Sequence, residues 1–111
     1  MAIIRAAERI LDGGDPPAVV VNKRKAPFDV YIGRGSIWGN PYHVEEYGRD
    51  GCIDLYRTYI IKRLETEPGL LDQLLALKGA RLGCYCKPAR CHGDVLVELL
   101  QKALLYGKPS V

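Results

Sequence analysis

Three of the four cysteines and one of the two histidines lie close together towards the carboxyl end of the chain. The segment that holds them reads Cys84-Tyr85-Cys86-Lys87-Pro88-Ala89-Arg90-Cys91-His92-Gly93-Asp94. An apolar run precedes this segment and a run with helical spacing follows it, which predicts a turn between a strand and a helix. The unpaired amides and the positive dipole at the start of a helix favour anions and thiolates. These residues therefore indicate chemistry rather than packing alone.

The candidate catalytic residues of this turn are Cys84, Cys91 and His92. Cys91 lies near the predicted helix start, beside Arg90 and Lys87, which should lower the pKa of the thiol and supply a thiolate nucleophile. Adjacent helical residues point about 100° apart, so His92 is not automatically placed to deprotonate Cys91. We expect His92 to act on a ligand, as a general acid or base. The alternative is an inert, packed Cys91 with His92 as a hydrogen-bonding residue near the helix start.

Zinc binding is an alternative function for the same turn. Cys84, Cys86, Cys91 and His92 supply the four sulfur and nitrogen ligands that a structural zinc site needs. Their spacing is less suited to zinc, because structural sites commonly separate two cysteines by two residues, whereas here one residue separates the first pair. The sequence therefore predicts no bound cofactor, with zinc on these four residues as the alternative.

A second alternative is cysteine-dependent phosphatase chemistry. Cys84 and Arg90 are separated by five residues between a predicted strand and a predicted helix, which resembles the phosphate loop of cysteine-dependent phosphatases and arsenate reductases. In such a loop the cysteine is the nucleophile, and backbone amides and the arginine hold the phosphoryl group. Pro88 weakens this interpretation, because it removes one amide donor.

A second polar segment covers residues 34–41 and contains the only tryptophan of the chain. It combines a guanidinium, a hydroxyl, an indole and a carboxamide with glycines, a set that suits a phosphate, a stacked base and a base edge or ribose. The alternative is a structural loop in which Trp38 fills the core and Asn40-Pro41 forms a turn. The candidate ligand-binding residues of the chain are Asn22, Arg24, Arg34, Ser36, Trp38, Asn40, Lys87 and Arg90.

The composition is that of an ordinary globular domain. With 111 residues, 48% hydrophobic and 26% charged, the chain is predicted to form one domain over 1–111. No apolar run approaches the length of a membrane span, and the first residues do not resemble a signal peptide, so a cytoplasmic protein without a membrane partner is expected. A net charge of +3 is too small to establish a nucleic-acid partner.

Periodicity predicts the order α-β-β-α-α-β-α and a small α/β domain. Its short, mostly parallel sheet of three or four strands would be covered by helices. Helices are expected over 1–12, 52–65, 70–77 and 94–105, strands over 18–22, 29–33 and 80–83, and a frayed tail over 106–111. The carboxyl ends of parallel strands commonly bind ligands, and both polar segments follow predicted strands. The two segments should therefore face each other across one cleft.

Four motifs in this order resemble a phage and bacterial family called domain of unknown function 4326. They cover about 19–100 and read Val21-Asn22-Lys23-Arg24, Ile32-Gly33-Arg34-Gly35-Ser36, Gly39-Asn40-Pro41, and Leu82-Gly83-Cys84-Tyr85-Cys86-Lys87-Pro88 with Cys91-His92-Gly93-Asp94. The family brings no established activity. The resemblance implies that one site contains Asn22, Arg34, Ser36, Asn40, Cys84, Cys91 and His92.

The function predicted from these patterns is binding of a nucleotide-like or phosphorylated ligand, such as a nucleotide or an ADP-ribose derivative. The cleft would lie between segments 34–41 and 84–92, and thiolate chemistry is an open addition. The first alternative is a module that binds nucleic acid or a host protein and contains a structural zinc. The second is the phosphatase-like enzyme.

Overall fold

A three-stranded parallel sheet forms the centre of the computed structural model, which describes residues 16–87 and 89–109. The strands are β1 (Val19–Asn22), β2 (Val30–Tyr31) and β3 (Arg81–Cys84), and β3 lies between the other two. The prediction of a small α/β fold with a short parallel sheet is confirmed. The helix predicted over 1–12 lies outside the described residues.

Strand β3 aligns both of its neighbours in the same register. Val20 of β1 and Val30 of β2 are both paired with Leu82. A parallel sheet of this kind needs cover on its faces, and Leu82 is accordingly buried. Because all three strands run the same way, Asn22, Tyr31 and Cys84 end at one edge of the sheet.

Three helices accompany the sheet in the described part of the chain: α1 (Val44–Thr66), α2 (Leu70–Leu75) and α3 (His92–Tyr106). Within the described part of the chain, none of them combines the length and the apolar character that a membrane crossing requires. Helix α3 begins two residues before its predicted start, because Cys91 caps it. The predicted tail over 106–111 begins inside this helix, and Pro109 is buried.

Helix α1 begins at Val44, well before the predicted start at about residue 52. Gly48 interrupts it with non-helical backbone (φ 75°, ψ 167°), so the first turn has a different direction from the rest. The apolar spacing used for the prediction begins only after this kink. Its buried stripe is the predicted one, with Ile53, Tyr56, Ile60 and Leu64 in the core.

Helix α3 packs very closely on the sheet through Gly93. A Cβ atom at this position would lie 2.6 Å from Cδ1 of Ile32 and 2.9 Å from Cγ2 of Val20. Beyond Gly93, the helix buries Leu96, Leu99 and Leu100 completely. This close contact fixes the start of α3, and with it His92, beside the carboxyl edge of the sheet.

Candidate functional site

A cleft of about 300 Å³ lies at the carboxyl edge of the sheet. Arg34 and Asn40 contribute from the segment after β2, and Cys84 and His92 from the end of β3 and the start of α3. The first turns of α1 form a further wall. The two segments that sequence analysis expected to face each other therefore both line one cleft.

The candidate residues divide into two groups around this cleft. Arg34, Asn40, Cys84 and His92 line it, together with Cys86. The other candidates all belong to the described part of the chain and are not part of the lining: Asn22, Arg24, Ser36, Trp38, Lys87, Arg90 and Cys91.

The His92 ring is buried and held by the backbone. Its Nε2 atom lies 2.6 Å from the carbonyl oxygen of Ile32, so Nε2–H donates and Nδ1 carries the lone pair. Nδ1 is 3.6 Å from Sγ of Cys91, and the ring packs edge-on against Tyr56 at 5.0 Å between centroids. Burial lowers the pKa of His92, with a smaller effect of the Arg34 charge in the same direction. The neutral imidazole is therefore favoured.

Cys91 does not have the lowered pKa that its sequence position predicts. The residue is 0% exposed, and this burial raises the pKa of its thiol, because a thiolate would lose its hydration. The amide of Gly93 donates to Sγ at 3.3 Å, which offsets only part of the effect. Desolvation therefore outweighs the helix start, and the buried thiol is protonated in the protein without a bound cation.

The N-terminus of α3 is capped by side chains of the chain itself. The Asp94 carboxylate accepts from the Cys91 amide at 3.0 Å and from Nζ of Lys87 at 2.6 Å. With the Gly93 amide donating to Cys91, these bonds form a capping box. The Cys91 and Gly93 amides at the helix start are therefore used inside the chain, and Lys87 is engaged there as well.

Three sulfur atoms form a cluster at the floor of the cleft. The Sγ atoms of Cys84, Cys86 and Cys91 all lie within 4.8 Å of one another, and all three thiols are free. Thiolates are ligands of zinc, so these three residues could hold a metal ion. His92, the fourth ligand of the sequence-based alternative, is not a member of this group.

Arg34 and Asn40 line the cleft and also shape its wall. The Arg34 guanidinium donates to the carbonyl oxygens of Asn40 at 2.7 Å and of Tyr42 at 3.5 Å. The Asn40 side chain donates to the carbonyl oxygen of Cys52 at 3.2 Å and accepts from the Tyr42 amide at 2.9 Å. A guanidinium has five donors, so Arg34 retains donors for a ligand.

Ser36 and Trp38 stabilise the loop from inside rather than from the cleft. The Ser36 hydroxyl donates to the Gly33 carbonyl at 2.7 Å and accepts from the Trp38 amide at 3.2 Å. Trp38 is only 3% exposed and belongs to the core, where its carbonyl accepts from the Tyr56 hydroxyl at 2.8 Å. The structure thus matches the alternative in which Trp38 fills the core, since a buried indole has no face for a ligand.

Asn22 and Arg24 contact the cysteine turn (residues 84–92) but do not line the cleft. The side-chain amide of Asn22 donates to the Lys87 carbonyl at 2.8 Å, and its side-chain oxygen accepts from the backbone amide of Arg24 at 2.9 Å. The Arg24 guanidinium lies 4.8 Å from the centre of the Tyr85 ring. Asn22 therefore joins the end of β1 to the cysteine turn.

Arg90 does not line the cleft. Its guanidinium pairs with Asp50 at 2.8 Å and with Asp54 at 3.4 Å, both on α1. A phosphate loop would need this arginine next to the nucleophile Cys84. In the structure Arg90 is paired with these two carboxylates and does not line the cleft with Cys84, and the phosphatase-like alternative stays a prediction.

The lining includes residues that sequence analysis did not select. Three tyrosines contribute rings, namely Tyr31, Tyr42 and Tyr85, and the start of α1 contributes Glu45 and Arg49. Across the part of the chain that the structure describes, the Arg49 guanidinium has no hydrogen bond or ion pair. Tyr31 and Tyr85 lie at strand ends and could have been selected by that criterion. Arg49 gives no comparable signal, because the kink at Gly48 sets its position.

Tyr85 is partly exposed and is surrounded by cations. Lys23 donates from Nζ to the Tyr85 hydroxyl at 3.1 Å. This hydrogen bond and the lysine charge lower the pKa of Tyr85. The ring also packs edge-on against Tyr31 at 6.4 Å between centroids. The rim of the cleft on this side is therefore both aromatic and basic.

The fold and the cleft define a small α/β protein with a cysteine-lined cleft at the carboxyl edge of a parallel sheet. The chain belongs to the family described as Domain of unknown function (DUF4326), whose model matches residues 20–102, so the resemblance inferred from the motifs is confirmed. The chain is also similar to the "Uncharacterized 12.4 kDa protein in nrdA-td intergenic region" of Enterobacteria phage T4. The identity is 40% over 83 residues, which cover 75% of this chain and 77% of that protein. No solved structure matches the chain.

Proposed function

We propose that the cleft binds a small anionic ligand with a planar ring, of the size of a single nucleotide. The observation that carries this proposal is the lining itself, which combines two arginines with three tyrosines around about 300 Å³. Arginine recognises phosphate through several donors at once, and tyrosine stacks on planar rings. A cytoplasmic location is part of the proposal, because reduced thiols packed this closely persist in a reducing compartment.

The two arginines of the lining differ in how many of their hydrogen-bond donors are available to a ligand. Arg34 already uses donors on loop carbonyls and is held in place by them. Arg49 is exposed, and its guanidinium has no hydrogen bond or ion pair within residues 16–87 and 89–109. A free guanidinium gains more from an incoming phosphate than one with existing bonds, because no interaction has to be given up. Arg49 is therefore the principal anion ligand of the proposal.

The acidic residue of the lining suits the sugar of a nucleotide. Glu45 lies before the Gly48 kink of α1 and Arg49 directly after it, both line the cleft, and the Glu45 side chain is 85% exposed. A carboxylate accepts hydrogen bonds from ribose hydroxyls, as in dinucleotide-binding folds. Glu45 would repel a bare phosphate at the same point. A ligand with both hydroxyls and a phosphate uses the lining better than inorganic phosphate does.

The volume narrows the choice between the expected ligands. Pockets for small molecules span about 300–1,000 Å³, and this cleft is at the lower end. An ADP-ribose derivative carries a second phosphate and a second ribose, which would extend into solvent. We therefore favour a nucleoside monophosphate.

Calorimetric titration with the nucleoside monophosphates tests the proposal. At least one should bind, and Arg49→Ala should weaken that binding about tenfold or more, because a charge-assisted hydrogen bond is lost. Lys62→Ala is the matched control, since Lys62 lies exposed on the same helix but not in the cleft lining. It should bind like the unmodified protein. Absence of binding by every monophosphate, or equal weakening by both variants, would reject the proposal.

The second candidate function is zinc binding, and the sulfur cluster specifically favours it. Three thiols within 4.8 Å of one another supply the soft sulfur ligands that select zinc over magnesium and calcium. The module would then stabilise its cysteine turn with zinc and bind nucleic acid or a host protein through the basic and aromatic rim around Tyr85. Metal analysis of the purified protein tests this candidate.

A further inference from the structure

We infer that Cys84, Cys86 and Cys91 form a zinc site at the floor of the cleft, with a fourth coordination position that faces the cleft. Zinc would then be part of the ligand-binding site rather than a support for the fold. The zinc site itself does not depend on the nucleotide proposal. Only the identity of the molecule that occupies the fourth position rests on the proposed function.

The backbone already brings the three sulfurs to one point. Cys84 ends β3, Cys86 follows it by two residues, and Cys91 caps α3. Their Sγ atoms lie within 4.8 Å of one another. Thiolates at 2.3 Å from a tetrahedral zinc are about 3.8 Å apart, so closing the site requires sulfur movements of roughly 1 Å or less. Side-chain rotations of this size leave the strand and helix in place.

The surroundings of the sulfurs are open on one side. Cys84 and Cys86 both line the cleft, whereas Cys91 is fully buried behind them. An ion held by all three would therefore be closed off on the Cys91 side and accessible from the cleft. Sites with three protein ligands and one open position are typical of zinc that binds water or substrate.

His92 is the residue that could close the fourth position. Its Nδ1 atom is 3.6 Å from Sγ of Cys91, but the ring is not within 4.8 Å of all three sulfurs. The hydrogen bond from Nε2 to the Ile32 carbonyl holds the ring where it is. His92 therefore contributes to the cleft wall beside the zinc, and the fourth ligand comes from the cleft.

The chemistry of the donor set favours a soft metal ion. Three thiolates favour zinc or copper(I) over magnesium and calcium, which prefer oxygen ligands. Binding forms three Zn–S bonds and releases three thiol protons to solvent, with no change of oxidation state. The fourth bond goes to water or to an oxygen atom of the bound ligand. In the nucleotide proposal this atom is a phosphate oxygen.

The zinc content of the variants tests the sulfur ligands. The reduced full chain, incubated with zinc and then desalted, should hold about one zinc per molecule. Cys84→Ser, Cys86→Ser and Cys91→Ser should each lose most of it. Cys52→Ser is the matched control, because Cys52 is also buried and lines the cleft but lies outside the cluster. A chain that holds no zinc, or that loses it equally with the control, overturns the inference.

Cobalt(II) in the unmodified chain tests the same site without any substitution. A tetrahedral thiolate spectrum is expected, and imidazole added as a probe should shift it by entering the fourth position. His92→Gln should leave the spectrum unchanged. A spectrum insensitive to imidazole but altered by His92→Gln would overturn the open position in favour of His92. Titration of the metal-loaded chain with nucleoside monophosphates is read separately, so failure of nucleotide binding leaves the result on the zinc site intact.

Discussion

Asn40 and Arg49 both line the cleft, but we expect Asn40 to stabilise the fold and Arg49 to bind the ligand. The side-chain amide of Asn40 is nearly buried, and it hydrogen-bonds to the backbone carbonyl of Cys52 and the backbone amide of Tyr42. The Arg49 guanidinium is exposed and unpaired within the described residues. A satisfied, buried amide stabilises the fold, whereas a free, exposed cation is available to a ligand. The two residues should therefore separate stability from binding.

Asn40→Ala should lower the free energy of unfolding by about 2 kcal/mol, because the Tyr42 amide and the Cys52 carbonyl lose a partner in a buried site. Urea unfolding of the ligand-free protein measures this difference. Arg49→Ala, the comparison variant, should unfold like the unmodified chain. Equal stability of Asn40→Ala and the unmodified chain would show that the amide is free for a ligand instead.

Sequence position alone found part of the site. Arg34, Cys84 and His92 were selected because they follow strands or start a helix, and they do line the cleft. The free thiolate at Cys91 could not be judged from spacing, because its pKa depends on burial by residues distant in sequence. Trp38 shows the same limit, since only packing decides whether an indole faces a ligand or the core.

At the scale of elements, the short sheet depends on side chains that bridge its strands. The Asp29 carboxylate just before β2 accepts from the amide of Arg81 at 2.8 Å and from its guanidinium at 3.0 and 3.1 Å. These hydrogen bonds lower the pKa of Asp29 to about 2 from the usual 3.8. They connect the segment before β2 to the first residue of β3. This matters because β2, an edge strand, is only two residues long.

Asp29→Asn should destabilise the protein at neutral pH and have little effect near pH 2. The folded-state pKa is lowered, so the ionised carboxylate stabilises the fold above about pH 3.8 and loses this contribution as the pH falls towards 2. Thermal unfolding across this range measures the difference, with Glu65→Gln on the exposed face of α1 as a control for charge. A difference from the unmodified chain that stays constant with pH would argue against the ion pair as the cause.

The elements were predictable where apolar spacing is regular. All three strands and the helices α1, α2 and α3 were expected, and their order follows the sequence pattern. The start of α1 was not, because residues 44–51 contain little apolar periodicity and Gly48 breaks the helix geometry. The segment 44–51, which was not predicted to be helical, supplies Glu45 and Arg49 to the cleft.

At the scale of the whole molecule, the parallel sheet gathers separate motifs at one edge. Asn22 at the end of β1 is hydrogen-bonded to the cysteine turn. The segment after β2 forms one wall of the cleft, and the end of β3 and the start of α3 form its floor. The family match over residues 20–102 covers all of these segments. One cleft therefore contains the aromatic, cationic and sulfur groups on which both proposals depend.

The central claim is that this cleft, and no other surface, holds the ligand. Amide chemical-shift mapping of the full chain with nucleoside monophosphates as probes tests it most directly. The largest shifts should fall in segments 33–42, 44–49 and 84–86. The shallow groove between α1 and α2, lined by residues 64–69 and 71–72, should not respond. Shifts concentrated in that groove, or none with any monophosphate, would contradict the claim.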